Sequence, residues 1–237
     1  MRDYTNNFYG DRQFSVGSIL SRTFSTLFKN PLVYFGLPLL VTIPAAIFVF
    51  VFQSTAGIIL GVFAALIFGL AIQGAIAYAV YQGLKGNVAS IGDALRLGMS
   101  RIGTIILATI LVGLCVGLGT LLLFIPGIII TCMLAVTIQA CVIERLGATE
   151  SLGRSADLTN GYRLKIFCLV LLLYIGTAIL NGLCQSIFGA SVTGEIFSFL
   201  ISLAVTSFSS VMYATIYYDL RMVKEGASLD TLANVFD

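Results

Sequence analysis

The residues able to do chemistry in this chain are few, and nearly all of them are neutral. Histidine is absent. That removes the commonest general base and the commonest nitrogen ligand for metals, and with them Ser-His-Asp and Cys-His catalysis. Cys115, Cys132, Cys141, Cys168 and Cys184 lie inside apolar runs and form no Cys-x-x-Cys pair. They read as small packing side chains. No catalytic residue, metal site or cofactor is expected. What remains is a set of four carboxamides in otherwise apolar stretches: Gln73, Gln139, Asn181 and Gln185. An amide taken out of water needs a hydrogen-bonding partner. The first reading is a bond to a facing helix, worth about 0.6 kcal/mol on average in a membrane; the alternative is a ligand. Ser198, Ser202, Thr206 and Ser209 form a hydroxyl stripe open to the same two readings.

The elements that must position these groups follow from the charge pattern. The chain has 237 residues, 58% hydrophobic and only 10% charged, against about 25% charged in a soluble domain. It reads as an integral membrane protein without a removable leader. Asn30 to Leu84 and Ile102 to Ile143 carry no charge, and Ile166 to Tyr218 carries only Glu195. A crossing takes about 20 apolar residues, so each block holds two. The expected spans are 33–52, 57–82, 102–123, 127–143, 166–187 and 196–218, closed by the turn-rich segments QSTA, FIPG and FGASVTGE. Pro38 and Pro44 should break or kink the first span, and Pro126-Gly127 should open the fourth.

All 13 Lys and Arg fall outside these blocks on one side: Arg2, Arg12, Arg22 and Lys29; Lys85, Arg96 and Arg101; Arg145, Arg154, Arg163 and Lys165; Arg221 and Lys224. The positive-inside rule makes that side cytoplasmic, with both termini on it. The expected organisation is a tail at 1–13, a membrane domain at 14–224 and a second tail at 225–237. Small residues recur at intervals of four in Gly57, Gly61, Ala65 and Gly69, and again in Gly113 and Gly117. Such stripes let helices approach closely, so both are expected to be packing faces.

The cytoplasmic segments carry their own pattern. In FSVGSILSRTFSTLFKN, Val16, Leu20, Phe24 and Leu27 share one face; in ASIGDALRLGMSR, Ile91, Leu95 and Ile102 oppose Asp93, Arg96 and Ser100. In 149–159, Glu150, Arg154 and Asp157 alternate in sign along one stripe. Setting Leu20, Leu95 and Leu152 in register gives three copies of a short amphipathic helix followed by a transmembrane hairpin. The fold class is therefore all-α integral membrane: six transmembrane helices as three hairpins, each preceded by a short cytoplasmic amphipathic helix lying at the interface, with Ser90 and Ser155 accessible on the connectors.

The run IPGIIITCMLAVTIQACVIERLGATESLGRSADLTNGYRLKIF and the closing YYDLRMVKEG resemble YciC-like bacterial inner-membrane proteins. They are also similar to the membrane domain attached to some glycerophosphoryl diester phosphodiesterases. The resemblance covers most of 14–226 and implies a six-span domain in the bacterial inner membrane. The phosphodiesterase's catalytic barrel has no counterpart, so its activity is not implied.

The functional expectation is a non-catalytic protein that organises lipid or partner proteins at the cytoplasmic face. Arg22, Lys29, Arg96, Arg101, Arg163 and Lys165 are its candidate contacts to anionic lipid, and Arg163 and Lys165 are expected to lie unburied. A homo-oligomer or protein partner is possible; nucleic acid is not expected at a net charge of +2. The alternative is a transporter or lipid carrier with a neutral polar path, which a cavity lined by Gln73, Gln139, Asn181 or Gln185 would favour.

Overall fold

A computed structural model of the chain describes residues 14–51, 54–85, 90–189 and 191–226. The tail at 1–13 and nearly all of the tail at 225–237 lie outside them. The described residues hold ten helices: α1 (Val16–Lys29), α2 (Pro31–Val51), α3 (Thr55–Leu84), α4 (Ile91–Ser100), α5 (Ile102–Leu122), α6 (Phe124–Met133), α7 (Thr137–Ile143), α8 (Ala148–Thr159), α9 (Arg163–Phe188) and α10 (Val192–Glu225). No strand occurs among the described residues.

Five helices are long and apolar enough to cross a membrane: α3, α5, α6 and α7 taken as Phe124–Ile143, α9 and α10. A sixth arises if α1 and residues 31–44 of α2, which meet at 82°, count as one span. Several membrane-crossing helices make this a multi-pass membrane protein. The sharp turn expected of Pro38 and Pro44 falls instead at Asn30; both prolines lie inside α2. FIPG is not a loop either. It forms the first turn of α6, where Pro126 gives up an N–H that has no helical partner in any case.

Burial is concentrated at one end of the long helices. Fully buried residues include Leu37 near the start of α2, Ala75 to Ala77 late in α3, Ile105 early in α5, Leu169 early in α9 and Ile216 late in α10. These are the ends next to the Lys- and Arg-bearing segments. The opposite ends expose large apolar side chains such as Leu60, Leu121, Ile187 and Ile196, the surface a helix presents to hydrocarbon. There α9 and α10 hold together through Phe188 stacked on Phe197 at 4.5 Å. The hinge between α5 and α6 is tight: a Cβ on Gly127 would stand 2.9 Å from the Thr120 Cα.

The three short helices α1, α4 and α8 bury the same register positions. Ile19, Ala94 and Ser151 are 0% exposed, and four residues on so are Thr23 and Ser155, with Gly98 also buried. The buried column lies one residue before the Leu20, Leu95 and Leu152 alignment, and those leucines are half-buried. The expected apolar faces are inward only in part: Leu27 is 4% exposed, but Phe24 is 52% exposed and Ile91 also stands at the surface. Soluble helices hide their large apolar residues, but lipid rewards no such burial. In a bilayer small residues face protein so that backbones can close up. Ala94 and Gly98 of α4 meet Ala71 and Ala75 of α3 in this way. A Cβ on Gly98 would collide with the Ala71 carbonyl and stand 3.1 Å from the Ala75 nitrogen. The connectors are therefore packed parts of the bundle, and Ser155 is not an accessible position.

The glycine stripes need the same correction. Gly61 is buried and, with Ala65, faces Leu40, Pro44 and Phe48 of α2 across an apolar groove. A Cβ on Gly69, Gly113 or Gly117 would meet nothing within 4 Å. Gly57 is half-buried. The close approaches are made by Gly98, Gly119 and Gly127, which the interval-of-four search passed over.

Candidate functional site

The expected fourth span is broken. Between α6 and α7, residues 134–136 leave the helix, so the Met133 carbonyl and the Val136 N–H lose their α-helical partners. In a membrane an unsatisfied backbone group costs several kcal/mol. Helix α8 supplies the replacements. The Ser155 hydroxyl donates to the Met133 carbonyl at 2.9 Å and accepts from the Val136 N–H at 3.2 Å. The Thr159 hydroxyl donates to the same carbonyl at 3.0 Å. Ser151 completes the buried hydroxyl row by donating to the Gly147 carbonyl at 2.6 Å.

The break opens a cleft of about 210 Å³ between α3, α5, α6, α7, α9 and α10. Its polar lining consists of Gln73, Thr109, Thr131, Thr137, Gln139 and Tyr213. Thr131 and Thr137 spend their hydroxyl protons on the carbonyls of Gly127 and Leu134, each at 2.8 Å. Two atoms are left over. Gln139 is only 5% exposed and its Oε1 has no partner among the described residues; the Thr109 Oγ1 is likewise buried and unpartnered. A buried polar atom without a bond costs about 1–3 kcal/mol. Both residues line the cleft, one with an unused acceptor and the other with a hydroxyl that can donate or accept.

Of the four expected amides, the structure brings together Gln73 and Gln139. Gln73 is exposed at the rim. Asn181 and Gln185 stand apart on the outer part of α9, both exposed, and Asn181 satisfies itself on the Thr177 carbonyl at 2.9 Å. They line no common cavity with the other two. Thr109, Thr131, Thr137 and Tyr213 were not singled out from sequence. A threonine in an apolar helix usually donates to its own helix, and nothing local separates Thr109 from that norm.

The basic residues are largely spent on the protein itself. Arg22 pairs with Asp219, which is 5% exposed. Arg101 donates to the Arg145 carbonyl at 3.1 Å and Lys165 to the Phe14 carbonyl at 2.7 Å. Arg154 does not ladder with Glu150 and Asp157. It meets Glu144 at 2.9 Å and also pairs with Glu225, while Glu150 caps α8 through the Gly147 N–H at 3.0 Å. Glu144 further accepts from the Tyr217 hydroxyl at 2.6 Å, and Arg221 reaches Glu225 at 2.8 Å. Burial alone would lower the Arg154 pKa, but its hydrogen bonds to Glu225 and Glu144 outweigh that and hold it above the ordinary guanidinium value. This network clamps α8 to the end of α10. Lys29 and Arg96 are exposed. Arg163, expected to be unburied, is half-buried, and its Nε is enclosed with no partner among the described residues. No group of His, Cys, Asp and Glu able to hold a metal occurs among the described residues.

Comparison with known proteins adds no relative: no family model, no curated protein and no solved structure matches the chain.

Proposed function

We propose that this chain is a non-catalytic, YciC-like protein of the bacterial inner membrane that binds a lipid-like amphiphile in the cleft beside the broken helix. The observation that carries this reading is a pair of buried, unpartnered polar groups, the Gln139 Oε1 acceptor and the Thr109 hydroxyl, on two residues that line one cavity. A dry structural bundle would have satisfied them on a neighbouring helix. The guest is an amphiphile because the rest of the lining, including Val112, Leu134, Ile138 and Val170, is apolar. A protein that binds lipid in this way carries it, presents it or is held in shape by it.

The proposal includes the topology. Six spans run as three hairpins, α2–α3, α5 with α6–α7, and α9–α10, each following a short connector. Both ends face the cytoplasm, because every Lys and Arg among the described residues falls beside the packed ends of the helices. A second reading, organisation of anionic lipid or partner proteins at the cytoplasmic face, rests on Lys29 and Arg96, which remain exposed there.

Native mass spectrometry of the purified protein tests the first reading. The parent should retain a lipid, and Gln139→Leu should lose it while melting no lower than the parent. Equal retention by both would overturn the cleft as the binding place.

A further inference from the structure

The cleft's chemistry asks only for a donor, but Arg163 narrows the guest further. Arg163 opens α9. Its Nε is sealed from solvent with no acceptor among the described residues. Arg22, Arg101, Arg154 and Arg221, also half-buried, each have a carboxylate or carbonyl from the protein. A guanidinium never gives up its charge, so a half-buried one that the protein leaves without an acceptor is matched to an acceptor from outside. The site lies on the same face of α9 as the cleft: Arg163, Ile166 and Val170 fall at i, i+3 and i+7, and Val170 lines the cleft. Cys132 and Ile166, one turn after Arg163, belong to the buried cluster against which Ala135, Val170 and Tyr213 pack. Ala135 and Tyr213 line the cleft as well.

Resting on the cleft reading, we propose that the ligand is an anionic phospholipid with a polyol head: its phosphate is held by Arg163, its head hydroxyls donate to Gln139 Oε1 and Thr109 Oγ1, and its chains leave toward the exposed apolar flanks of α6 and α9. A fork-shaped guanidinium matches a phosphate's two oxygens, and the two acceptors select a head with hydroxyls over one without. A choline head offers no donor, and a bare phosphatidic acid has no polyol.

The test is competition on the detergent-purified full chain, read by native mass spectrometry. On the unaltered protein, phosphatidylglycerol should displace phosphatidylcholine at about one-tenth the concentration; both lipids offer Arg163 a phosphate, so the preference is set by the head hydroxyls, whose bonds to Gln139 and Thr109 a choline head cannot make. Equal displacement by the two lipids overturns the proposal, with no variant needed. Arg163→Gln should lose about tenfold in phosphatidylglycerol binding, and Arg163→Lys should recover part of it. Gln139→Leu should lower phosphatidylglycerol binding but leave phosphatidic acid binding unchanged. If Arg163→Gln binds like the parent while Gln139→Leu fails, the cleft stands and the phosphate site falls. If Arg163→Gln fails while Gln139→Leu and Thr109→Val bind like the parent, the cleft reading falls and the phosphate site alone survives. Soluble glycerol phosphate at millimolar concentration should not compete; full competition by it would replace the lipid with a free polyol phosphate.

Discussion

Replacing Ser155 by Ala removes one oxygen and tests how the broken helix is held. That oxygen accepts from the Val136 N–H and donates to the Met133 carbonyl, and Ser155 is 0% exposed, so water cannot take its place. The Met133 carbonyl still has the Thr159 hydroxyl at 3.0 Å. The Val136 N–H has nothing else among the described residues, and an orphaned buried donor costs about 1–3 kcal/mol. A change near 2 kcal/mol in a chain of this size shifts melting by about 4–8 °C. Thr159→Val keeps the shape and removes a donor whose acceptor is still served by Ser155, so its cost should be the smaller, about 0.5–1.5 kcal/mol. Thermal unfolding of both variants in one detergent, followed by far-ultraviolet circular dichroism, gives the order directly. Unchanged melting for Ser155→Ala, or a larger loss for Thr159→Val, would refute the account of α8 as the partner of the break.

Gly98→Leu should destabilise by about 1–3 kcal/mol or more, because its side chain meets the backbone of α3, whereas Gly117→Leu should melt like the parent; a reversal of that order in the same assay would reject the α3–α4 contact. In a background without native cysteines, a cysteine at Ser90 or Asn160 should react with an impermeant reagent only from the cytoplasmic side, and one at Ser191 only from the other. Labelling of Ser90 or Asn160 from the periplasm would sink the topology.

What could be read from the sequence was whatever depends on hydropathy over long windows. The uncharged blocks place α2, α3, α5 and α9 to within a few residues, α10 runs on to Glu225, well past the expected end at 218, and the periodicity of the polar segments finds α1, α4 and α8. The face the connectors turn inward was read only in part, because the search assumed that large apolar residues seek protein: Leu27 does go inward, but the fully buried column lies one residue before the expected one. Ala94 and Gly98 go inward since a backbone approach needs absent side chains, and Phe24 goes outward since lipid accepts it. The α6–α7 break was illegible for a different reason. Leu134, Ala135 and Val136 contain no Gly or Pro, so the interruption is imposed by Ser155 and Thr159, about twenty residues away. Arg154 shows the limit of local charge rules: Glu150 and Asp157 are at helical spacing, yet its partners are Glu144 and Glu225, chosen by how α8 docks on α10. Gln139 could be singled out from sequence as a polar group in need of a partner, because an amide within an apolar run always has to be accounted for.

The most direct measurement of the central claim is photo-crosslinking of lipid from two positions in native membranes. A benzophenone amino acid at Ile138 reports on the cleft; the same residue at Leu118, which is 61% exposed, reports on bulk lipid. The account predicts that adducts at Ile138 are enriched in one hydroxyl-bearing lipid relative to those at Leu118, and that Gln139→Leu removes the enrichment. Adducts of the same composition at both positions would contradict it.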